Sequence, residues 1–253
     1  MMLILSCKAH EILHGVMMKP LYLVLLTFLI LPRSAYSDDK LEYARIAYSP
    51  IQSVAERLLT LVYERAGIEM TITQLPGKRA SFEAGMGEKD GEIMRILSYG
   101  TDKIGLYRIP YPLGYVKTRL YVHKDHQVVD VNRLEECKLA VVKGVRHTNE
   151  FAAGNPYIYF FNNVNILMKQ LDRGKVDVAV VSEINARYEF KRHPNTNIEP
   201  IPELIKVQGG FHYINERHSE TIIQIEQVMK EMTESGELLK LWNQYVEELI
   251  ESS

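Results

Sequence analysis

The chain has 253 residues, of which 46% are apolar and 25% charged, enough for a sizeable core and too apolar for general disorder. Its formal charge of −2 lacks the basic excess that nucleic-acid binding requires, so no nucleic-acid partner is expected.

The N-terminus departs from this average. Lys19-Pro20 precedes the largely apolar run Leu21 to Leu31, which ends at Pro32-Arg33-Ser34, and Ala35-Tyr36-Ser37 follows as an A-x-S cleavage pattern. The run is shorter than the ~20 residues that span a bilayer and suits the apolar region of a signal peptide. An inner-membrane anchor is the alternative. Residues 1–37 are therefore predicted to be a leader cleaved after Ser37, with Met17 and Met18 as alternative starts, and the protein to be exported. The mature chain keeps 27 basic and 31 acidic residues, net −4, and one cysteine, Cys137. With no intrachain disulfide possible it must rely on a hydrophobic core, which points to the bacterial periplasm. Cys137 itself is expected as a buried small hydrophobe.

The mature chain opens with a predicted strand, Leu41–Tyr48. Ser49-Pro50-Ile51-Gln52 then carries a capping-box signature: an N-cap serine, proline at the first helical position and glutamine three residues on. Val54, Leu58, Leu59 and Val62 recur at helical spacing up to Gly67, and Ile68–Leu75 alternates as a second strand. A strand–helix–strand unit implies a parallel sheet with a right-handed crossover, whose ligands sit at the carboxyl ends of strands beside helix N-termini. Tyr48 and Ser49 occupy that place, as ligand contacts or as a core tyrosine and a cap.

The central stretch is Pro76-Gly77-Lys78-Arg79 followed by Asp90-Gly91-Glu92-Ile93-Met94-Arg95-Ile96. It reads as a loop, a short helix (Arg79–Met86), a turn and a strand (Glu92–Ile96). Arg79 opens the helix and Arg95 lies near the end of the strand, where side chains reach a cleft; each also fits a solvated surface. Asp90 is expected to shape the turn. Lys103–Ile109 alternates into Pro110-Tyr111-Pro112 and places Tyr107 and Arg108 at a cleft mouth.

After the strand Lys117–His123 the α/β pattern restarts. Leu139–Val142 is a buried strand, and Lys143-Gly144-Val145-Arg146-His147 leads into a short helix, Asn149–Ala153. Glycine at a strand end before a helix makes an anion-binding turn, here carrying Gly144, Arg146 and His147. Then come the amphipathic helix Val164–Leu171, the central strand Val176–Ser182 with a structural Asp177, and the helix Glu183–Phe190. Lys206–Ile214 is a return strand with Gly209-Gly210 as a flexible joint. Two helices parted by Gly236 close the chain, with Trp242 in the core. His123 and His126 have metal-like spacing but no third ligand, so they read as a surface pair; no metal and no other cofactor is expected.

Two α/β halves joined near 115–120 and 208–213 describe two lobes around a cleft. Residues 38–117 with 210–253 form one lobe and 118–209 the other, a hinge design.

The order of these motifs resembles the bacterial extracellular solute-binding proteins of the amino-acid-binding type, family 3. P-G-x-R, D-G-E-x-x-R-I, the Y-P…R-L-Y-V crossing, K-G-V-R-H, G-K-V-D-V-A-V-V-S-E and F-H-Y-I-N-E-R-H-S-E together cover nearly all of the mature chain. The resemblance implies a type II-like, two-lobed periplasmic-binding-protein fold that encloses a small-molecule ligand. It further implies a monomer that works with a membrane permease or receptor. Family amino-acid binders hold the ligand carboxylate with an arginine just ahead of the segment matching Ile104–Tyr111, and with small residues matching Gly144-Val145-Arg146. An aspartate at the end of the strand matching Val176–Ser182 holds the amino group. Here the first position lacks arginine, and Ser182 with Glu183 beside it stands at the aspartate position. A free α-amino acid is not what this set favours. The expected ligand is a small polar, carboxylate-bearing solute gripped by Arg95, Arg146 and Arg79, with Glu183 facing a cationic or amide group. The expectation is a binding protein rather than an enzyme. The alternative is a periplasmic enzyme resembling cyclohexadienyl dehydratases, with Glu183 or His147 as the acid.

Overall fold

The computed structural model describes residues 40–125, 131–194 and 196–253. The predicted leader, its cleavage after Ser37 and the histidine at 126 lie outside the described residues. Strand β1 (Leu41–Ile46), helix α1 (Pro50–Ala66) and strand β2 (Met70–Leu75) form the predicted unit, with β1 and β2 parallel. Helix α1 buries one stripe of Val54, Ala55, Leu58, Leu59 and Val62. It stops at Gly67, whose φ of 70° is open to a residue without Cβ. The capping box does not form. Ser49 makes no side-chain cap, and Gln52 turns inward, its Nε2 donating to the Met94 carbonyl at 2.9 Å. A buried amide needs a partner, and the neighbouring strand supplies one that the helix end does not.

Helix α2 (Gly77–Met86) begins two residues before Arg79, and strand β3 (Gly91–Ile96) is buried along its whole length. β3 lies parallel to β1 and antiparallel to strand β9 (Ile198–Asn215). Asp90, expected to shape the preceding turn, accepts the Glu42 amide at 2.7 Å and pairs with Arg217 and His218. Burial works to raise its carboxyl, but these partners outweigh it and hold Asp90 below the usual carboxylate range. A 3-10 turn, Leu97–Asp102, follows. Strand β4 (Leu106–Arg108) covers only part of the predicted alternating run, because Gly105 turns the backbone at φ 80°.

Next come β5 (Gly114–His123), β6 (Leu139–Val142), α3 (Arg146–Ala152), β7 (Ile158–Phe161) and α4 (Val164–Asp172). The chain continues through β8 (Val178–Ser182), α5 (Glu183–Arg192) and, beyond β9, α6 (Ser219–Glu234) and α7 (Glu237–Glu251). Helix α3 starts three residues earlier than predicted and so includes Arg146 and His147. The edge strand β7 is not among the predicted elements; neither of its faces is buried, so it carries no alternation to read. Asp177 accepts the Lys138 amide, a structural role as expected, and Cys137 is half-buried rather than fully enclosed.

The sheet runs β2-β1-β3-β9-β5-β8-β6-β7, with β4 also on β9. The architecture is α/β, a mixed sheet carrying two lobes, and the long strands β5 and β9 run through both. Gly209 and Gly210 lie inside continuous β9, with no break or turn at the predicted joint. A Cβ at Gly210 would sit 2.6 Å from the Met94 sulfur, so close approach rather than flexibility explains that glycine. The first core gathers Leu58, Leu59, Ile93, Ile225 and Trp242, the last packed on Gly114, while a second gathers Tyr121, Val142, Leu167, Leu171 and Val181. Helices α6 and α7 cover the first core. Ile184 of α5 also enters it, while Ala186 and Phe190 of the same helix pack with the second. Among the described residues no helix is long and apolar enough to cross a membrane.

The first core encloses a polar trio. The Tyr63 hydroxyl meets the Tyr43 hydroxyl at 2.5 Å and His212 Nε2 at 2.9 Å, while His212 Nδ1 donates to the Glu92 carbonyl at 2.9 Å. Burial pulls the His212 imidazole down to about 4 from an ordinary 6.5. The unfolded chain therefore takes up a proton that the native state refuses, so this stabilisation is complete above pH 6.5 and is lost as pH falls toward 4. His147, likewise held at about 4 by burial, acts in the same direction. The urea midpoint should fall steadily between these two pH values, with a shallower slope in His212→Asn. A slope identical to that of the parent chain would show that His212 is not buried neutral.

Candidate functional site

The lobes meet around Arg95. This side chain, 5% exposed at the carboxyl end of β3, sends Nε to Glu92 Oε2 at 2.6 Å and Nη2 to the Gly77 carbonyl at 3.1 Å. Its Nη1 crosses to the Gly144 carbonyl of the second lobe at 3.3 Å. Glu92 is fully buried and also accepts the Tyr99 hydroxyl at 2.9 Å. Burial raises the Glu92 carboxyl above its ordinary value, and the charge and hydrogen bond of Arg95 pull it back only in part. The backbones of Gly77 and Gly144 touch. A Cβ on Gly77 would lie 2.9 Å from the Gly144 oxygen, and one on Gly144, where φ is 81°, would lie 2.5 Å from the Lys78 nitrogen.

Beside this contact lies a cavity of about 40 Å³, lined by Ile46, Gln52, Arg95, Val116, His147 and Asn185 among others. Such a space holds only a few water molecules, so the lobes lie close together here. Asn185 Oδ1 accepts the Ile51 amide at 2.8 Å, giving the N-terminus of α1 a partner from the opposite lobe. At the rim, Arg146 grips Asp102 with two hydrogen bonds of 2.8 and 3.3 Å and also bonds Glu150, while Arg187 does the same to Glu247 at 3.0 and 2.7 Å. These rim pairs are partly exposed and each contributes on the order of 0–1 kcal/mol.

Ser49, Arg95, Arg146 and His147 line the cavity, and Gly144 borders it through its carbonyl. Tyr48 faces a separate groove of about 380 Å³ with Arg45, Asn163 and Tyr188. It is 77% exposed and holds a left-handed φ of 54°, a strained backbone for a non-glycine residue. Three predicted residues are engaged elsewhere. Arg79 is exposed and pairs with Glu83 on its own helix at 2.6 Å, the Tyr107 hydroxyl bonds Glu226 on α6, and the Arg108 guanidinium lies over the Phe211 ring. Ser182 ends β8, but Glu183 faces no incoming cation: its carboxylate is held by Arg119 at 2.6 Å and Lys117 at 3.8 Å, both on the neighbouring strand β5. Nor are the arginines free charges awaiting an anion. Arg95 already meets Glu92, and Arg146 already meets two carboxylates.

Sequence reasoning missed Gln52, Thr118 and Asn185. Gln52 resembled a helix cap, and nothing distinguishes Thr118 or Asn185 from other strand and helix residues. Folding does distinguish them: Asn185 meets the Ile51 amide, while Gln52 Oε1 and Thr118 Oγ1, with His147 Nε2 and Ser182 Oγ, are buried without a hydrogen-bond partner. Thr118 and Ser182 are cross-strand neighbours, and Thr118 shares a face of β5 with cavity-lining Val116. Burial keeps the His147 imidazole neutral, at about 4. Among the described residues no group of His, Cys, Asp or Glu could hold a metal ion.

Solved structures with this geometry define the class first: they are two-lobed, periplasmic-binding-protein-like proteins. A histidine kinase sensor domain with similarity to periplasmic binding proteins matches at TM-score 0.69 and 14% identity, over 82% of this chain and 96% of that one. The arginine-, lysine-, histidine-binding protein ArtJ from Geobacillus stearothermophilus matches at TM-score 0.68 and 15% identity, over 82% of this chain and 95% of that one. AbpA from Streptococcus pneumoniae, an amino acid ABC transporter substrate-binding protein bound to L-arginine, matches at 0.69 and 17% identity, over 85% and 97%. At such identities the likeness is one of fold, and it is consistent with the family 3 resemblance carried by the motifs. No protein-family model matches the chain, and no curated protein matches it in sequence.

The glycine contact can be tested without straining the backbone. Gly77→Ala suits a helix start but needs space that the Gly144 carbonyl occupies. Small-angle scattering should show a larger radius of gyration for Gly77→Ala than for the parent, with little change in melting temperature. Identical scattering would mean that the lobes do not meet there in solution.

Proposed function

We propose that this chain is an exported, periplasmic solute-binding protein that takes a small polar, carboxylate-bearing solute between its lobes. It then presents the closed form to a membrane permease or receptor. The observation that carries the reading is Arg95, a buried guanidinium whose outer nitrogens meet one carbonyl from each lobe at 3.1 and 3.3 Å. Those carbonyl oxygens occupy the fork that a planar guanidinium offers a carboxylate, so a solute would exchange with them as the lobes part. Likeness of fold to amino acid ABC transporter substrate-binding proteins supports a binding role, and the kinase sensor domain supports signalling as a use for the closed form. Division into residues 38–117 with 210–253 and 118–209 belongs to the same proposal, with the hinge in β5 and β9. The enzyme alternative has less behind it, since Glu183 is tied up by Arg119 and His147 is a neutral imidazole.

Thermal-shift titration against small carboxylates, amino acids, amines and short peptides tests the reading, because a ligand of the native state raises the melting temperature with its concentration. Removing Arg95 alone would leave the buried Glu92 carboxyl without its cation and push it further toward its neutral form, so the informative variant is Glu92→Gln with Arg95→Gln. It should fold and bind a carboxylate hit about tenfold or more weakly. Unchanged affinity would move the site away from Arg95. Arg146→Ala should weaken the same hit less and make its affinity less dependent on salt, as befits a rim pair.

A further inference from the structure

The lining of the cavity is uneven in charge. Arg95 and Arg146 reach it, and among the described residues no carboxylate does. The nearby acids are engaged: Glu92 by Arg95, Asp102 by Arg146, and Glu183 by Arg119 and Lys117. A solute ammonium group would enter a desolvated space whose lining offers it no free carboxylate, which is disfavoured.

Apart from Arg45 Nε, which belongs to the groove beside Tyr48, the unsatisfied side-chain atoms among the described residues are of another kind. Gln52 Oε1, His147 Nε2, Thr118 Oγ1 and Ser182 Oγ are uncharged, buried and without partners. Gln52 and His147 line the cavity, and Thr118 and Ser182 stand side by side on β5 and β8 beyond Val116. Buried polar atoms are nearly always hydrogen-bonded, so four around one junction mark a place where a bound molecule supplies the bonds. Hydroxyls accept and donate, the amide oxygen accepts, and a neutral imidazole nitrogen does either; together they match a hydroxyl or carboxamide.

Building on the solute-binding reading above, we propose that the solute's second polar group is uncharged, a hydroxyl or carboxamide, and that Ser182, Thr118, Gln52 and His147 recognise it. The ligand is then a small hydroxy acid or amido acid rather than an α-amino acid.

Matched pairs test this directly by isothermal titration of the purified chain: glycolate against glycine, L-lactate against L-alanine, L-malate against L-aspartate, and succinamate against 4-aminobutyrate. The hydroxyl or amide member of a pair should bind at least about tenfold more tightly than its ammonium counterpart. Thr118→Val and Ser182→Ala should each weaken that member about tenfold while leaving the free protein as heat-stable or more so, since each removes an unsatisfied buried group. A merely structural hydroxyl would show the opposite, lost stability with affinity retained. Ser182→Asp should turn the preference toward the ammonium member. Tighter or equal binding of the amino acids by the unmodified chain would overturn the proposal and leave solute binding intact. No binding by any member of the panel would overturn both.

Discussion

The pairing of Arg95 with Glu92 is the constraint on which the rest of the junction depends. Two charges this deeply buried incur a large desolvation cost, recovered only when their remaining hydrogen-bonding capacity is met. Here it is met by the Tyr99 hydroxyl on one side and by the Gly77 and Gly144 carbonyls on the other. The guanidinium is thereby locked in orientation, and its outer edge points to where the two lobes meet. Since Gly144 belongs to the second lobe, the satisfaction of a charge in the first lobe is tied to closure.

Closure rests on several further contacts of differing strength. The glycine backbones approach within a distance that a side chain would prevent, Ile184 enters the first core, and Asn185 completes the helix end of α1. Outside them, the Arg146–Asp102 and Arg187–Glu247 pairs lie in partial contact with water and are screened by salt. A shut arrangement held by a few buried contacts and a weakly bonded rim is one that a ligand binding the two arrangements differently can bias. The cavity that remains has a largely apolar lining with a few polar groups and no carboxylate, and its unsatisfied atoms are neutral. Recognition there is a matter of hydrogen-bond geometry beside a fixed positive group.

The fold is shared with proteins that bind amino acids and with a kinase sensor domain, and fold alone does not carry a ligand from one to another. In this chain the decisive differences lie in individual side chains. Strand β8 ends on the neutral hydroxyl of Ser182, and the neighbouring Glu183 is held by Arg119.

Much of the scaffold was legible from the residues in order. Helix α1 follows from its apolar stripe and Gly67, the buried strands from their β-branched runs, and the break before α7 from Gly236, because each depends on neighbours a few positions away. The edge strand β7, exposed on both faces, left no such trace, and the role of Gln52 was misread because a local cap and a distant carbonyl compete for the same amide. The site was legible only in part. Arg95, Arg146 and His147 could be placed near strand and helix ends, yet their partners could not: Gly144 lies 49 residues from Arg95, and Asn185 lies 134 from the Ile51 amide it accepts. The sequence by itself determined an α/β chain of two halves with arginines at their facing ends. Only the tertiary structure decided which charges are neutralised and which polar atoms are left over, because burial and pairing are set by groups that meet through folding and not by their spacing along the chain.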